Sequence, residues 1–301
     1  MADVSIIIRT RDEARFIGAT LEALKAQKAP CAQEIIVVDS GSSDRTTEIV
    51  QEAGARLLRI PTEIFSFGRA LNYGAAASTG TILINLSAHC RPLADSWLER
   101  LTAPILRGEA DATFGKQVPL RGLNPIEEGG ISKIFHDDIH FARERPPFSN
   151  ANCAFLRGLW KLFPFDETIT AWEDFLWYSQ ISQEYRVAYV ADAAVYHSHP
   201  LVSNYWMRRS KSDAQAIWDL KVRFGINILD GKTAFRHIVR NYVADTFMVM
   251  KYLGSNHYWK YMLVTPIFKL LTHGAFYFGL KEAMRTGGTG EREPERQNAM
   301  I

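Results

Sequence analysis

The feature that most constrains this chain is a regular alternation of short β-branched runs with stretches whose apolar residues recur at helical spacing. The apolar runs lie at residues 5–8, 34–38, 56–60 and 81–86, and the helical stretches lie between them at 12–27, 44–53 and 68–78. Strands that alternate with helices form a mostly parallel sheet with helices on both faces. Such sheets bind ligands at the carboxyl ends of their strands, where Asp39 and residues 87–89 lie.

The rest of the chain continues this pattern less regularly. A helix at 96–106 and a strand at 112–117 precede a charged, irregular stretch at 120–147, which we expect to form acceptor-binding loops. Order returns in a segment at 149–156, a helix at 172–184 and a strand at 187–190. We therefore predict an α/β domain at residues 1–200, a helical aromatic region at 201–285 and a disordered tail at 286–301.

The charge balance and the cysteines argue against a nucleic-acid-binding protein and against a disulfide-bonded one. The chain carries 35 Lys plus Arg and 33 Asp plus Glu, so no overall positive charge favours a nucleic-acid partner, and we expect none. Cysteines 31, 90 and 153 are widely separated, which argues against a disulfide framework and fits a reducing cytoplasm. The first residues do not have the pattern of a secretory signal, so we expect a cytoplasmic protein.

Several motifs between residues 4 and 199 occur together in one order. They are SIIIRTRDE at 5–13, EIIVVDSGSSDRT at 34–46, FGRALNYGA at 67–75, ASTG at 77–80, SNAN at 149–152, PFDE at 164–167, WED at 172–174 and HSH at 197–199. This set resembles the family-2 glycosyltransferases. The resemblance implies a GT-A, Rossmann-like fold and transfer of a sugar from a nucleoside-diphosphate donor to a glycan or lipid-linked acceptor. The segments from 67 to 80 are similar to bacterial rhamnosyltransferase-like members, which suggests rhamnose.

Donor-binding residues are predicted where the first two strands end. Asp39 ends an apolar run, and Ser40 begins the turn that follows. The carboxylate can accept from the imide N–H of uracil or thymine, or it can cap its own turn. By resemblance, Thr10, Arg11 and Glu13 border the nucleotide. Arg11 either meets a phosphate or is a solvated loop arginine.

Other side chains have both a ligand-binding and a structural interpretation. Arg69 and Asn72 lie one helical turn apart, and the resemblance puts them near the diphosphate and ribose; alternatively, they lie on an exposed helix face. Asn150 and Asn152 either bind acceptor sugar hydroxyls or satisfy a turn. Trp172 either stacks on a sugar ring or packs in the protein.

The main departure from the family follows the fourth strand. Family members carry an Asp-x-Asp motif there, which holds a divalent cation against the donor diphosphate, whereas this chain has Ser87, Ala88 and His89. Three interpretations stay open. His89 ligates a cation such as Mn²⁺, a softer choice than Mg²⁺; His89 donates directly to phosphate; or the donor site is degenerate. By resemblance, His197 also faces the metal or diphosphate, and His199 points to the same side of its strand.

Glu173 and Asp174 open a predicted helix, whose dipole favours ionised carboxylates at that end. In the resembling inverting enzymes, the second carboxylate of this pair deprotonates the acceptor hydroxyl. Asp174 is therefore the predicted catalytic base, with Glu173 as its helper or as an acceptor ligand. Because the metal motif is altered, a non-catalytic nucleotide-sugar-binding protein is the competing hypothesis.

The region at 201–285 is basic and aromatic, with 13 Lys plus Arg against 5 Asp plus Glu. Charged residues and a proline interrupt its apolar stretch at 258–280, which argues against a transmembrane helix. Basic amphipathic helices lie on anionic membrane surfaces. We therefore expect peripheral attachment to the inner face of the cell membrane, with a homo-oligomer interface or a core helix pair as the alternative.

Overall fold

An eight-stranded sheet positions the ends of the strands on which the predicted site depends. The computed structural model describes residues 3–28, 33–135, 148–229 and 233–287. The strands are β1 (Val4–Thr10), β2 (Gln33–Asp39), β3 (Arg56–Arg59), β4 (Ile82–Ser87), β5 (Arg91–Pro92), β6 (Ala112–Val118), β7 (Asn152–Leu156) and β8 (Val187–Tyr196). The helices are α1 (Ile17–Lys25), α2 (Thr46–Glu52), α3 (Phe67–Ala77), α4 (Trp97–Leu106), α5 (Pro125–Ile134), α6 (Arg157–Leu162), α7 (Glu173–Ile181), α8 (Ser203–Phe224), α9 (Ala234–Ser255), α10 (Trp259–Met262) and α11 (Thr265–Thr286).

The first half of the sheet is parallel, as the alternation predicts. β1 pairs with β2 and β4, and β2 pairs with β3. Side chains alternate along β1, so Ile6 and Ile8 belong to the apolar layer that includes α1 and α4, whereas Ile7 belongs to the opposite layer with Leu71 of α3. Both faces of the sheet are covered, which confirms the predicted α/β fold class.

The second half of the sheet mixes strand directions. β7 is antiparallel to β4 and β6, β8 is parallel to β6, and the short β5 is antiparallel to β8. The strand predicted at 187–190 extends to Tyr196, because its later residues pair with β6 and β5. Gly115 lies at an irregularity of the β6–β8 register, where an added Cβ would come within 2.0 Å of the carbonyl oxygen of Ala193.

The prediction of an irregular stretch at 120–147 is wrong over α5. The Asn124 side chain caps this helix by accepting from the N–H of Glu127 at 3.2 Å, and Pro125 occupies its first position. The glycine pair at 129 and 130 weakens the helical pattern in the sequence. Residues 136–147 of that stretch lie outside the described part of the chain.

The carboxyl-terminal helices pack on one another and on α5. Ala214 of α8, Ala234 of α9 and Leu280 of α11 share one apolar cluster. The Tyr252 hydroxyl of α9 donates to Glu128 of α5 at 3.0 Å. The helical character predicted for 201–285 is therefore present in its described residues, while 288–301 of the predicted tail lie outside them.

Candidate active site

Two loops meet at the carboxyl ends of β1 and β2. Thr10 and Asp39 are partners in the strand register, and the N–H of Ser40 donates to the carbonyl of Thr10 at 3.1 Å. Asp12, which has a left-handed backbone with φ of 51°, accepts from the N–H of Ser43 at 2.7 Å. These hydrogen bonds join the two loops at the edge where a parallel sheet binds ligands.

Asp39 is engaged by its own turn. Its Oδ1 accepts from the N–H groups of Gly41 and Ser42 at 3.1 Å each, and its Oδ2 accepts from the Ser42 hydroxyl. The structure thus shows the turn-capping alternative. Recognition of a base by the remaining lone pairs of Asp39 stays a prediction, as do the donor contacts of Thr10 and Arg11.

Two histidines from distant segments meet beyond the ends of β4 and β8. His89 Nδ1 lies 2.8 Å from Oε1 of Glu13, and His197 Nδ1 is hydrogen-bonded to the side-chain oxygen of Gln117. The two Nε2 atoms are 3.2 Å apart. The carbonyl of Ser87 accepts from the N–H of residue 90 at 2.9 Å and closes the turn that carries His89, so Ser87 shapes this turn and its donor contact stays a prediction.

This arrangement fits a bound divalent cation. When each Nδ1–H donates to its oxygen partner, both Nε2 atoms present lone pairs to each other, which a shared cation would satisfy. Two ligand atoms at about 2.1 Å from one metal lie roughly 3.0–3.4 Å apart, close to the observed separation. Burial lowers the pKa of His197 well below its usual value, and so keeps the ring neutral. Oε2 of Glu13 is buried without a hydrogen-bond partner.

Cys90 lies beside the histidine pair, but its chemistry differs. Its sulfur and one nitrogen of each histidine lie within 4.8 Å of one another. The side chain is fully buried in the apolar layer, and burial raises the pKa of the thiol. A buried neutral thiol is a packing group rather than a strong ligand.

His199 lies next to the pair without joining it, and Glu127 holds it there. The His199 ring centroid is 4.8 Å from that of His89 and 4.8 Å from that of His197. Glu127 accepts from the His199 backbone N–H at 2.8 Å and contacts its Nδ1 at 2.7 Å. Burial raises the pKa of Glu127 to about 7. The sequence prediction missed Glu127 because it treated α5 as a loop.

The predicted carboxylate pair begins α7. Glu173 Oε1 accepts from Arg9 Nη1 at 3.1 Å and from Asn150 Nδ2 at 3.3 Å. Burial raises the pKa of Asp174 to about 7, and the charge of Glu173 adds to the rise. Desolvation thus opposes the helix dipole that is expected to keep Asp174 ionised. A pKa near neutrality suits a general base better still.

The sequence matches known proteins in this same part of the chain. The model of the family described as Glycosyl transferase family 2 matches residues 5–147. The O-antigen chain rhamnosyltransferase RfbN of Salmonella typhimurium is 27% identical over 219 residues, which are 65% of this chain and 66% of that protein. Residues 5–147 of the chain thus form a family-2 glycosyltransferase segment. A TPR repeat-containing protein of Synechococcus elongatus is 35% identical over 146 residues, or 48% of the transferase and 34% of that relative.

Solved structures agree with the fold of the transferase. The mannosyltransferase PcManGT from Pyrobaculum calidifontis, in complex with GDP-Man and Mn²⁺, has a TM-score of 0.58 at 18% identity and covers 96% of this chain and 88% of its own. Glucosyl-3-phosphoglycerate synthase from Mycobacterium tuberculosis, with Mn²⁺, UDP-glucose and phosphoglyceric acid, has a TM-score of 0.55 at 20% identity and covers 76% of this chain and 81% of its own. These likenesses establish the GT-A fold.

The two asparagines predicted to bind the acceptor are structural in the transferase. Asn152 is completely buried; its Oδ1 accepts from Trp97 Nε1 at 3.0 Å, and its Nδ2 donates to the carbonyl of Ala193 at 2.8 Å. Asn150 accepts from Asn85 and donates to the Glu173 carboxylate described above. The predicted acceptor contact is therefore wrong for Asn152, and Asn150 positions Glu173 instead.

Arg69 and Asn72 likewise bind protein groups. Arg69 Nε donates to Glu167 at 2.7 Å, and Asn72 Nδ2 donates to the carbonyl of Phe165 at 2.8 Å. Both side chains fasten α3 to the PFDE segment, and the Arg69 side chain stays 30% exposed. Their contact with diphosphate and ribose stays a prediction.

Arg209 of α8 is a candidate site residue that the sequence prediction missed. Its Nε donates to Asp213 at 3.3 Å, and the same Asp213 oxygen accepts from Trp172 Nε1 at 3.0 Å, just before the carboxylate pair. The Arg209 side chain is still 47% exposed. Its positive charge lowers the pKa of Asp174, so the guanidinium acts on the proposed base from a helix outside the sheet. The arginine pair at 208 and 209, soon after HSH, was the available signal.

Proposed function

We propose that this family-2 transferase moves a sugar, with inversion, from a nucleoside-diphosphate donor to a hydroxyl of a glycan or lipid-linked acceptor. The observation that carries the proposal is the carboxylate pair that opens α7, in which Asp174 follows a Glu173 held by Arg9 at 3.1 Å. The acceptor oxygen forms a bond to the anomeric carbon as the bond to the diphosphate breaks. The acceptor proton passes to Asp174.

His89 and His197 would hold a divalent cation. When bound, such a cation supplies positive charge that stabilises the departing diphosphate. Glu13 and Gln117 fix the tautomers of the two imidazoles from behind. Mn²⁺ is named with the donor in the two solved structures compared above, and imidazole suits Mn²⁺ better than Mg²⁺, which supports Mn²⁺ here.

The remaining donor contacts fall to the loops and to α8. Arg209 has donors beyond the one used by Asp213, and a guanidinium is suited to phosphate oxygens. The loops after β1 and β2 would receive the nucleoside, with uracil or thymine at Asp39. Rhamnose is the sugar we propose, because the relative RfbN is named a rhamnosyltransferase. We place the reaction in the cytoplasm, at the inner face of the membrane.

Isothermal titration with UDP, dTDP and GDP sugars, in EDTA and then in Mn²⁺ or Mg²⁺, tests the donor site. We expect one uridine or thymidine donor to bind with Mn²⁺ and to lose affinity in EDTA. Turnover of that donor should disappear in Asp174→Asn and persist in Asp192→Asn, a control at an exposed aspartate of β8. Equal turnover in Asp174→Asn would exclude Asp174 as the base, and donor binding without turnover in the wild type would favour the non-catalytic alternative.

A further inference from the structure

The exposed apolar side chains of this protein are concentrated at its carboxyl-terminal helices. Of the 22 large hydrophobic residues that are exposed in the described part of the chain, 12 lie between residues 233 and 287. They are Phe235, Val239, Val243, Phe247, Trp259, Leu263, Val264, Ile267, Leu270, Leu271, Phe278 and Met284. An apolar surface of this size is unusual on a soluble domain and marks an interaction site.

Eight of these side chains form one face across α9 and α11. The helices are antiparallel neighbours: the rings of Phe235 and Tyr277 are 5.6 Å apart, and Lys269 donates to Asp245 at 2.7 Å. Positions 235, 239, 243 and 247 share one side of α9, and 267, 270, 271 and 278 share one side of α11. On each helix, the exposed positions lie about 100–120° around the axis from the positions that contact the other helix. Because the two helices are antiparallel, both groups of exposed positions come to lie on the same side of the pair. We call this surface the α9–α11 face.

The charges around the face are mostly positive. Residues 233–287 contain seven Lys or Arg residues, at 236, 240, 251, 260, 269, 281 and 285, against only Asp245 and Glu282. Asp245 is neutralised by its bond to Lys269. Arg236 and Arg240 directly follow Phe235 and Val239, so cations border the exposed rings and methyl groups. An anionic, partly apolar surface is the complementary partner.

We propose that the α9–α11 face docks on an anionic membrane surface, with its apolar side chains in the headgroup region and its Lys and Arg residues among the phosphates. None of the helices in residues 3–28, 33–135, 148–229 and 233–287 is long and apolar enough to cross a membrane, so docking would be peripheral. A second copy of the chain is a poorer partner, because a two-fold contact would bring the same cations together. The proposal deepens the membrane location given above.

Flotation with vesicles of phosphatidylcholine alone, or of equal parts phosphatidylcholine and phosphatidylglycerol, tests this surface. We expect binding only to the anionic vesicles, with a loss as salt rises. Phe235→Ser combined with Phe247→Ser should weaken binding at least about tenfold. Arg236→Gln combined with Arg240→Gln should weaken it about tenfold or more. Leu162→Ser and Lys161→Gln, on exposed positions of α6, are matched controls and should leave binding unchanged.

The outcomes separate this proposal from its rivals. Vesicle binding that is equal in the wild type and both face variants would overturn it. So would absent vesicle binding together with a dimer that the Phe235→Ser, Phe247→Ser variant converts to a monomer in sedimentation, since a second copy would then occupy the face. Circular dichroism shows whether the variants stay folded. Donor affinity, measured on the same preparations without vesicles, reports separately on the proposed transferase site.

Discussion

Titration of Asp174 gives the sharpest test of the proposed mechanism, because a general base works only when it is ionised. With a pKa of about 7, about a tenth of the Asp174 side chains are ionised at pH 6 and about a hundredth at pH 5. We therefore expect kcat/KM to rise about tenfold per pH unit in this range and to level off above about pH 8. Initial rates of nucleoside diphosphate release at fixed cation concentration would measure this profile.

The variant Glu173→Gln tests whether the acid limb of the pH profile belongs to Asp174. It keeps the shape of the side chain but removes the charge that helps to raise the pKa of Asp174. It also leaves Arg9, now bonded to Glu173, to attract Asp174 instead. Both effects lower the pKa of Asp174, so the acid limb of kcat/KM should move to lower pH even where the plateau falls.

Glu127→Gln is the matched control, since burial raises the pKa of Glu127 to about 7 as well. It should leave the acid limb in place, because Glu127 contacts His199 and not the carboxylate pair. Burial lowers the pKa of His197 and His199, so their protonation belongs at lower pH. A limb that moves in Glu127→Gln and stays fixed in Glu173→Gln would refute the assignment of Asp174 as the base.

Three further variants test the site. Asp174→Asn should be more stable than the wild type by roughly 1–3 kcal/mol at about pH 8, and by less near pH 5. The reason is that the pKa of Asp174 is raised in the folded state, so the wild type loses stability as the pH rises through about 7. Thermal denaturation in which the variant shows no pH-dependent gain would contradict this. Glu13→Gln should weaken Mn²⁺ binding about 10–100-fold in titration calorimetry, since it alters the partner of His89, and unchanged affinity would exclude that role. Arg209→Gln should weaken nucleoside diphosphate binding about 10–100-fold, whereas Lys211→Gln, which lies against α11, should not; equal losses would indicate a general charge effect.

Periodicity predicts the first half of the sheet because each parallel strand there is an apolar run followed by a helix. The second half depends on contacts between distant segments. Ile84 of β4 is paired with Ala154 of β7, and no local pattern determines that β7 enters between β4 and β6 in the opposite direction. Helix α5 was missed for a local reason, since its glycine pair weakens a pattern that its cap and its packing on α9 restore.

In the candidate site, too, local sequence pattern predicts some features, and contacts between distant segments determine the others. The family resemblance, together with residue types at strand and helix ends, predicts the segments that carry His89, His197 and the carboxylate pair. They did not identify which polar residues face a ligand and which face the protein. Asn152 stands in a motif beside the site, but its partners Trp97 and Ala193 come from α4 and β8. For Asp174, the dipole and burial oppose each other, and only the surrounding structure decides which is larger.

The cation site proposed at the histidine pair would explain how a transferase can dispense with an Asp-x-Asp motif. Carboxylates neutralise much of the charge of a cation, whereas neutral imidazoles leave that charge for the donor diphosphate. In this protein, the negative charge nearest to the pair belongs to Glu13, whose Oε1 contacts Nδ1 of His89 on the side of the ring away from His197. This ligand set is poorly matched to Mg²⁺, which strongly prefers oxygen ligands, whereas Mn²⁺ accepts imidazole nitrogen more readily. Mn²⁺ should therefore support donor binding far better than Mg²⁺, and equal support by both cations would mean that the imidazoles do not coordinate the metal.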